Sequence, residues 1–241
     1  MHSAMRSFCQ DLQIVKHLLF PNRAGFSQAQ RLDNFYQAQA EHYDAFRERL
    51  LFGRAELISQ TIPPGFAGCW LDIGAGTGRN LEYALPLIKK SSEILLVDLC
   101  APLLDVARNR ICRLGLANAS VHQVDAACFK PSRKQVDIVT FSYSLSMMPN
   151  WSAVIENALS IVRPGGLVGV ADFYVSGKHS IFARNFWPLW FSRDGVHLSA
   201  ERLNKLQEVT ECLHCNEQRS PIPFLPYLRV PYFVYVGRTR W

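Results

Sequence analysis

Leu71-Asp72-Ile73-Gly74-Ala75-Gly76-Thr77-Gly78 is the stretch on which the reading of the fold turns. With Cys69-Trp70 before it, a short apolar run carries one acid and then meets glycines at alternate positions. Apolar runs of this length suit a buried strand. Glycine lets the chain turn tightly and approach a ligand with no side chain between them. A helix is expected next, from Asn80 to Ile88. The spacing is GxGxG, and Arg79 stands where a dinucleotide-binding loop would place its third glycine.

Outward from that loop the chain alternates short apolar runs with longer amphipathic ones. Ile94–Val97, Val121–Val124, Val136–Phe141 and Leu167–Ala171 read as strands. Leu103–Leu114 and Ser152–Val162 read as helices, the second ending at Pro164-Gly165-Gly166. This β-α-β-α order implies a doubly wound, mostly parallel sheet with helices on both faces. The tail differs: Ile181–Phe191 is an aromatic insert containing Arg184, and Ala200–Cys212 looks helical. Tyr232–Val236 is expected as a last, antiparallel strand at the sheet edge, approached through an irregular stretch with Pro221, Pro223, Pro226 and Pro231.

Before the loop, Phe8, Leu12, Val15 and Leu19 recur at helical spacing, Pro21-Asn22 breaks the pattern, and a second helical stretch runs from Ser27 through Ile58. Pro63-Pro64-Gly65 marks a boundary, so residues 1–60 are expected as a helical extension or lid and 61–241 as the α/β domain, in one compact unit.

The chain has 241 residues, 49% hydrophobic and 19% charged, enough to bury one sizeable core. No apolar run approaches the roughly 20 residues that span a bilayer. Asp11, Lys16 and His17 interrupt the first stretch, which therefore lacks a signal peptide's apolar middle, and a cytoplasmic location is expected. Seven cysteines are scattered, and the lone pair Cys212/Cys215 around His214 lacks the second pair of a structural zinc site, so no metal is expected. A net charge of +6 suits an anionic partner, nucleic acid or membrane surface, and equally suits ordinary solubility.

The chemistry lies at strand ends. A glycine loop preceded by Asp72 suits a cofactor without a pyrophosphate; S-adenosylmethionine is one, and its cationic amino-acid end would welcome that carboxylate. Asp98 closes the next strand about 20 residues past Gly78, where a carboxylate can accept both ribose hydroxyls. Asp125-Ala126 follows the third strand, placed for the adenine amine. Each acid alone reads equally as a helix cap or loop residue. Three in order at successive strand ends favour a methyltransferase over a dehydrogenase or a structural protein. With these residues the core resembles the class I S-adenosylmethionine-dependent methyltransferases, which implies a Rossmann-like, seven-stranded sheet.

Further segments resemble a narrower family, the methyltransferases that make betaine lipids. They are Phe35-Tyr36, Tyr43-Asp44-Ala45-Phe46-Arg47, Leu50-Leu51-Phe52-Gly53-Arg54, Phe141 to Pro149, Asp172-Phe173-Tyr174, Phe186 to Phe191, and Pro231 to Gly237. The resemblance implies three N-methylations of a diacylglyceryl homoserine headgroup, with a separate enzyme supplying that lipid, because a fused second domain has no room here. It adds Tyr43, Arg54 and Ser142 to Asp72, Gly74, Gly76, Asp98, Asp125 and Ala126 as cofactor-binding candidates. Tyr143, just past the fourth strand, and Asp172, as a base, are the catalytic candidates. Phe173, Tyr174, Trp187 and Trp190 either face the growing cation or simply pack the insert.

An amine-headgroup lipid implies peripheral membrane contact, for which the basic amphipathic stretch with Arg6, Lys16 and Arg23 is a candidate. Ser142-Tyr143-Ser144-Leu145 replaces the Asn/Asp-Pro-Pro-Tyr of many DNA and protein amide methyltransferases, so no nucleic-acid partner is expected. The alternatives are another amine lipid (phosphatidylethanolamine or ornithine lipid), a quinone ring carbon, or a non-catalytic cofactor-binding scaffold.

Overall fold

A computed structural model of the chain describes residues 49–240, except 91, 133–134, 193–194 and 223–224. The apolar run before the glycine loop forms β1 (Cys69–Ile73), with all five residues buried. Continuous burial follows from its place, for both neighbours are strands and both sheet faces are covered. On one side lie β2 (Glu93–Asp98) and β3 (Ala119–Gln123). On the other lie β4 (Val136–Ser142) and β5 (Val162–Phe173). These five pair in parallel. The sheet is completed by β6 (Thr210–Ile222) and β7 (Leu225–Thr239), antiparallel, in the order β3-β2-β1-β4-β5-β7-β6.

Side chains alternate across β1, and the two layers follow from that alternation. Trp70 packs with Ile94, Leu96 and Ile138 against helices α1 (Arg54–Thr61), α2 (Asn80–Ala84) and α3 (Ala101–Leu114), through Ile58, Leu81 and Ala107. Leu71 and Ile73 face the other way, toward α4 (Trp151–Ile161), whose Val154, Ile155 and Ala158 share their cluster. That layer also takes Leu203 and Leu206 of α6 (Glu201–Val209). A third cluster sits at the C-terminal end of β5, beneath α5 (Ile181–Ser192), and gathers Tyr143, Phe173, Trp187, Phe191 and Tyr232. The boundaries of α3 are set locally: Pro102 sits in the first turn and Gly115 closes the helix in the left-handed region, φ 66°.

The seven-stranded, Rossmann-like sheet agrees with expectation, and the departures are local. Helix α2 stops at Ala84 and not Ile88, because Pro86 has no N–H to extend the ladder. The helix expected to reach Cys212 ends at Val209, and residues 210–222 form β6. Most of β6 is exposed, so its sequence lacks the alternation by which a half-buried strand is recognised. The last strand therefore lies inside the sheet, between β5 and β6, and not at its edge. The stretch through Pro221 pairs as strand, with Pro221 opposite Arg229 on the edge strand, where a missing N–H is tolerated, and the register shifts between Pro221 and Ile222, an irregularity of the kind expected.

The helix expected through Ile58 begins afresh at Arg54 and continues to Thr61. Gly53 precedes it at φ 79°, and a Cβ there would stand 2.7 Å from Val234 and 2.8 Å from Tyr232. The earlier helical stretches, with Tyr43 and the amphipathic residues 1–25, lie outside the described residues. Among the described residues no helix is long and apolar enough to cross a membrane.

Candidate active site

The C-terminal ends of β1, β2, β3 and β4 open into one cavity, and the strand order sets out its walls in sequence. The glycine loop after β1 is its floor. Gly74, Gly76 and Gly78 all have positive φ, at 68°, 54° and 68°. The N–H groups of Gly74 and Ala75 donate to Val97 O at 2.7 and 3.1 Å, tying the loop to β2. The glycines serve different ends. A Cβ on Gly74 would lie 2.3 Å from Ser144 Cβ, and one on Gly78 would press on Leu96 and Ala107 at 3.2 and 3.3 Å. A Cβ on Gly76 would meet only Leu103, at 3.8 Å, so the space before it belongs to the cavity.

Asp98, at the end of β2, is held rigidly: Oδ2 accepts from Gly76 N at 2.8 Å and Oδ1 from Cys100 N at 2.9 Å. Asp125 and Ala126 follow β3, where Asp125 Oδ1 accepts from Ala127 N at 2.9 Å. Leu103, Val124 and Val154 make this end of the wall apolar. Ser142 lies at the end of β4, and its buried hydroxyl has no hydrogen-bond partner among the described residues. Arg54, the first residue of α1, lines the cavity while only 8% exposed. Its Nε and Nη2 are buried without a hydrogen-bond partner among the described residues. A buried guanidinium left unpaired is costly, and its presence on a cavity wall marks a place for an anion.

Asp72 does not line the cavity. It is fully buried beneath the loop, accepting from Thr140 Oγ1 at 2.6 Å and from Asn80 Nδ2 at 3.1 and 3.3 Å. Thr140 in turn accepts from Trp70 Nε1 at 2.8 Å. The carboxyl therefore fastens β1 to β4 and to the helix after the loop. Burial pushes its pKa up to about 6, against the hydrogen bonds of Thr140 and Asn80 and the charge of Arg54. Its expected direct contact with the cofactor's cationic end is replaced by this bracing, because the carboxyl is fully buried behind the cavity wall.

Tyr143 lines the cavity and, among the described residues, is the one non-glycine with positive φ, at 56°. Three contacts hold it there: its N–H donates to Ala171 O at 2.7 Å, its hydroxyl donates to Phe52 O at 2.5 Å, and its ring meets Phe173 edge-on at 4.6 Å. Such over-determined strain is characteristic of functional positions. Burial, then the charge of Asp172, pushes the phenol's pKa well above its ordinary value, so it stays protonated and is no base.

Asp172 does not serve as a base either. It is fully buried and off the cavity wall; Oδ2 accepts from Ser146 N and Oδ1 from Phe173 N, each at 2.8 Å. Arg202 acts from the other side, donating to Leu145 O at 3.1 Å and His197 O at 2.6 Å. Together they hold the turn Leu145–Met147, which carries Met147 and Met148 onto the wall. Asp172 is a positioning residue.

The aromatic candidates divide. Phe173 and Trp187 are core, Tyr174 donates to Glu217, and Trp190 is on the outer face of α5. His179 is bonded within its own turn to Ser176, and none of these lines the cavity. Unforeseen lining residues include Leu103, Val124, Met147, Met148 and Asn150. Apolar residues after a strand carry no motif, so only proximity reveals them.

A methyltransferase-domain family model matches residues 71–166, from β1 into β5. The chain is an S-adenosylmethionine-dependent methyltransferase. The methyltransferase is 23% identical over 193 residues to a ubiquinone/menaquinone biosynthesis C-methyltransferase of Ectopseudomonas mendocina, covering 75% of each chain. Its fold is shared with a SAM-dependent methyltransferase of Aquifex aeolicus, with TM-score 0.57, 14% identity, and coverage of 83% of this chain and 96% of the other. It is also shared with phospholethanolamine N-methyltransferase 2 of Haemonchus contortus, solved with phosphomonomethylethanolamine and S-adenosylhomocysteine. There the TM-score is 0.68 at 14% identity, over 92% of this chain and 62% of that one.

The wall fits the cofactor in strand order. The apolar end with Asp125 and Ala126 suits an adenine, Asp98 a ribose diol, the open face of Gly76 a close backbone approach, and the Arg54 guanidinium, two of whose nitrogens have no partner among the described residues, a carboxylate. When bound, S-adenosylmethionine supplies an electrophilic methyl on sulfur. The protein's part is to hold that group, exclude water and orient an acceptor, which is where catalysis of an in-line displacement lies.

Proposed function

We propose that this methyltransferase methylates the amine of a diacylglyceryl homoserine lipid in three rounds, giving the trimethylated betaine lipid. The observation that carries this reading is where the betaine-lipid-like segments fall. Residues from 50–54, 141–149, 172–174, 186–191 and 231–237 meet in the cluster around Tyr143, at the β4 side of the cavity. Of these, Leu51, Arg54, Tyr143, Met147 and Met148 line the cavity itself, where an acceptor would meet the cofactor.

The chemistry of that side suits nitrogen. Among the described residues, the only carboxylates lining the cavity are Asp98 and Asp125, and both belong to the adenosine half. Tyr143 stays protonated. An amine can shed its proton to water before entering and then attack with its own lone pair, so it needs no base in the wall. A cationic product is favoured by aromatic surface, by up to about 2 kcal/mol per desolvated contact, and Tyr143 lines this wall. The amine acceptor of the Haemonchus relative agrees with this reading. Such a lipid would be met at a membrane surface, beside a separate enzyme that makes it.

Co-expression with an enzyme supplying the homoserine lipid, followed by mass spectrometry of lipid extracts, tests the proposal. The expected product carries three added methyl groups, and an unmodified headgroup refutes it. A second reading, methylation of a quinone ring carbon, is favoured by the ubiquinone/menaquinone relative. The same extracts would then show altered quinones and unchanged amine lipids.

A further inference from the structure

Helix α5 buries one face and leaves the other bare. Ala183, Trp187 and Phe191 recur every four residues and enter the core. On the outer side Phe182 is 59% exposed and Leu189 68%, with Ile181 and Trp190 beside them. The rings there are ordered through Phe186, which is half-buried against the buried Trp187 at 4.8 Å: Phe182 stacks on Phe186 at 5.0 Å, and Phe186 meets Trp190 at 5.5 Å. A row of aromatics open to water is unfavourable unless something covers it.

The end of β6, to Ile222, and the start of β7, from Leu225, here called the tip of their hairpin, lie at the same end. Ile222 and Leu228 pack on the cluster beneath α5, and Tyr227 beyond them is 98% exposed. The pairing of β5 with β7 ends at Phe173 and Tyr232, so the tip continues past the strand ends that open into the cavity. Ring contacts lead inward from the bare face: Trp187 to Phe191 at 6.0 Å, Phe191 to Phe173 at 4.8 Å, and Phe173 to Tyr143 at 4.6 Å.

Charge identifies the occupant. Residues 173–192 contain Lys178 and Arg184 and no acid, Arg193 is followed at once by Asp194, and residues 218–240 contain four arginines and no acid. Arg184 on the helix and Arg219 and Arg229 beside the tip are exposed. The neighbouring acid, Glu217, is engaged by Lys178 and Tyr174. Aromatic and aliphatic side chains rimmed by arginine match the interfacial zone of an anionic bilayer, where rings sit at headgroup level and guanidinium groups meet phosphate.

We propose that α5 and the β6–β7 tip dock this enzyme on an anionic phospholipid membrane, with Phe182, Phe186, Leu189 and Trp190 entering the interface and Arg184, Arg219 and Arg229 meeting headgroup phosphates. This face sets the cavity toward the bilayer; it deepens the lipid reading above, whose acceptor it would present. The test is flotation of the full chain with vesicles of phosphatidylcholine, alone or mixed with phosphatidylglycerol, and tryptophan emission as a second readout.

The protein is expected to float with the mixed vesicles and its emission to shift to the blue. Phe182→Ser combined with Leu189→Ser should weaken partitioning by about tenfold or more, with circular dichroism and S-adenosylhomocysteine affinity unchanged. Arg184→Glu should weaken binding to the mixed vesicles in low salt and lose that effect in high salt. Failure of the wild type to float with either vesicle, or wild-type flotation by the double variant, overturns the proposal. So does a concentration-dependent dimer in sedimentation that the double variant dissolves, because the face would then belong to a second copy. A protein that binds vesicles yet leaves amine lipids unmodified keeps this inference and loses the substrate assignment.

Discussion

Replacing Arg54 by methionine should make the ligand-free protein more stable and its cofactor binding weaker. The guanidinium is 8% exposed, and two of its nitrogens have no partner among the described residues. Methionine keeps much of the stem's volume and removes the buried charge, and exchanges of buried ionic groups for apolar ones of similar size are neutral or stabilising by about 1–4 kcal/mol. Arg54 also lowers the pKa of Asp72, so its loss makes that buried carboxylate harder to ionise and offsets part of the gain. A net increase of about 1–2 kcal/mol in unfolding free energy at pH 7 is the expected result.

Binding moves the other way. Hydrogen bonds to charged groups contribute about 1.5–3 kcal/mol, so the dissociation constant for S-adenosylhomocysteine should rise by about 10- to 150-fold. Methylthioadenosine, which lacks the amino-acid carboxylate, should bind the variant as it binds the wild type. Urea unfolding without ligand and calorimetric titration with both nucleosides measure all three quantities. Equal loss of both nucleosides, or a fall in ligand-free stability, would refute the assignment of Arg54 to a carboxylate.

Asp72 predicts a pH dependence of definite sign. Its pKa is raised from 3.8 to about 6 on folding, so between those values the folded protein holds the proton that the unfolded chain has released. Stability therefore falls as pH rises through this window, and above pH 6 the full cost, about 3 kcal/mol, is present. Asp72→Asn removes that term, so the difference in unfolding free energy between variant and wild type should shift by about 2 kcal/mol in the variant's favour between pH 4 and 7; a flat difference counts against it.

Gly76→Val should fold, with about 1–2 kcal/mol of backbone strain, and lose cofactor binding; Gly74→Ala should damage the fold itself. Calorimetric titration and thermal melts separate the two. Tyr143→Phe should keep turnover within a few-fold, since the hydroxyl is taken up by Phe52 O, and lose about 1 kcal/mol of stability with that bond. Asp172→Asn should lower stability and turnover without removing any limb of the pH–rate profile, and loss of an acidic limb would restore Asp172 as a base.

What could be read from residue order alone shares one property: the deciding forces are local. The glycine loop announces itself because positive φ at Gly74, Gly76 and Gly78 is a demand each residue meets by itself. The parallel strands β1, β2, β4 and β5 are short apolar runs, and their alternation with helices marks the sheet as parallel and doubly wound. Asp98 and Asp125 were legible for the same reason, since one ends β2 and the other lies two residues past β3.

Tertiary contact decided the rest. Asp72 and Asp172 look like site carboxylates in sequence, yet partners 68 and 26 residues away take their oxygens and turn both into braces. No local pattern carries that information, because a buried carboxyl's role depends on which donors the fold brings to it. The same holds for β6, whose exposed residues show no periodicity and whose strand exists through β7. Arg54 gains its meaning only when α1 lies against the sheet and strands its charge in the cavity wall. The chain's own order thus determined the class of fold and the line of acids along the strand ends; packing alone decided which charges hold the scaffold and which remain for a ligand, because desolvation and pairing are set by neighbours distant in sequence.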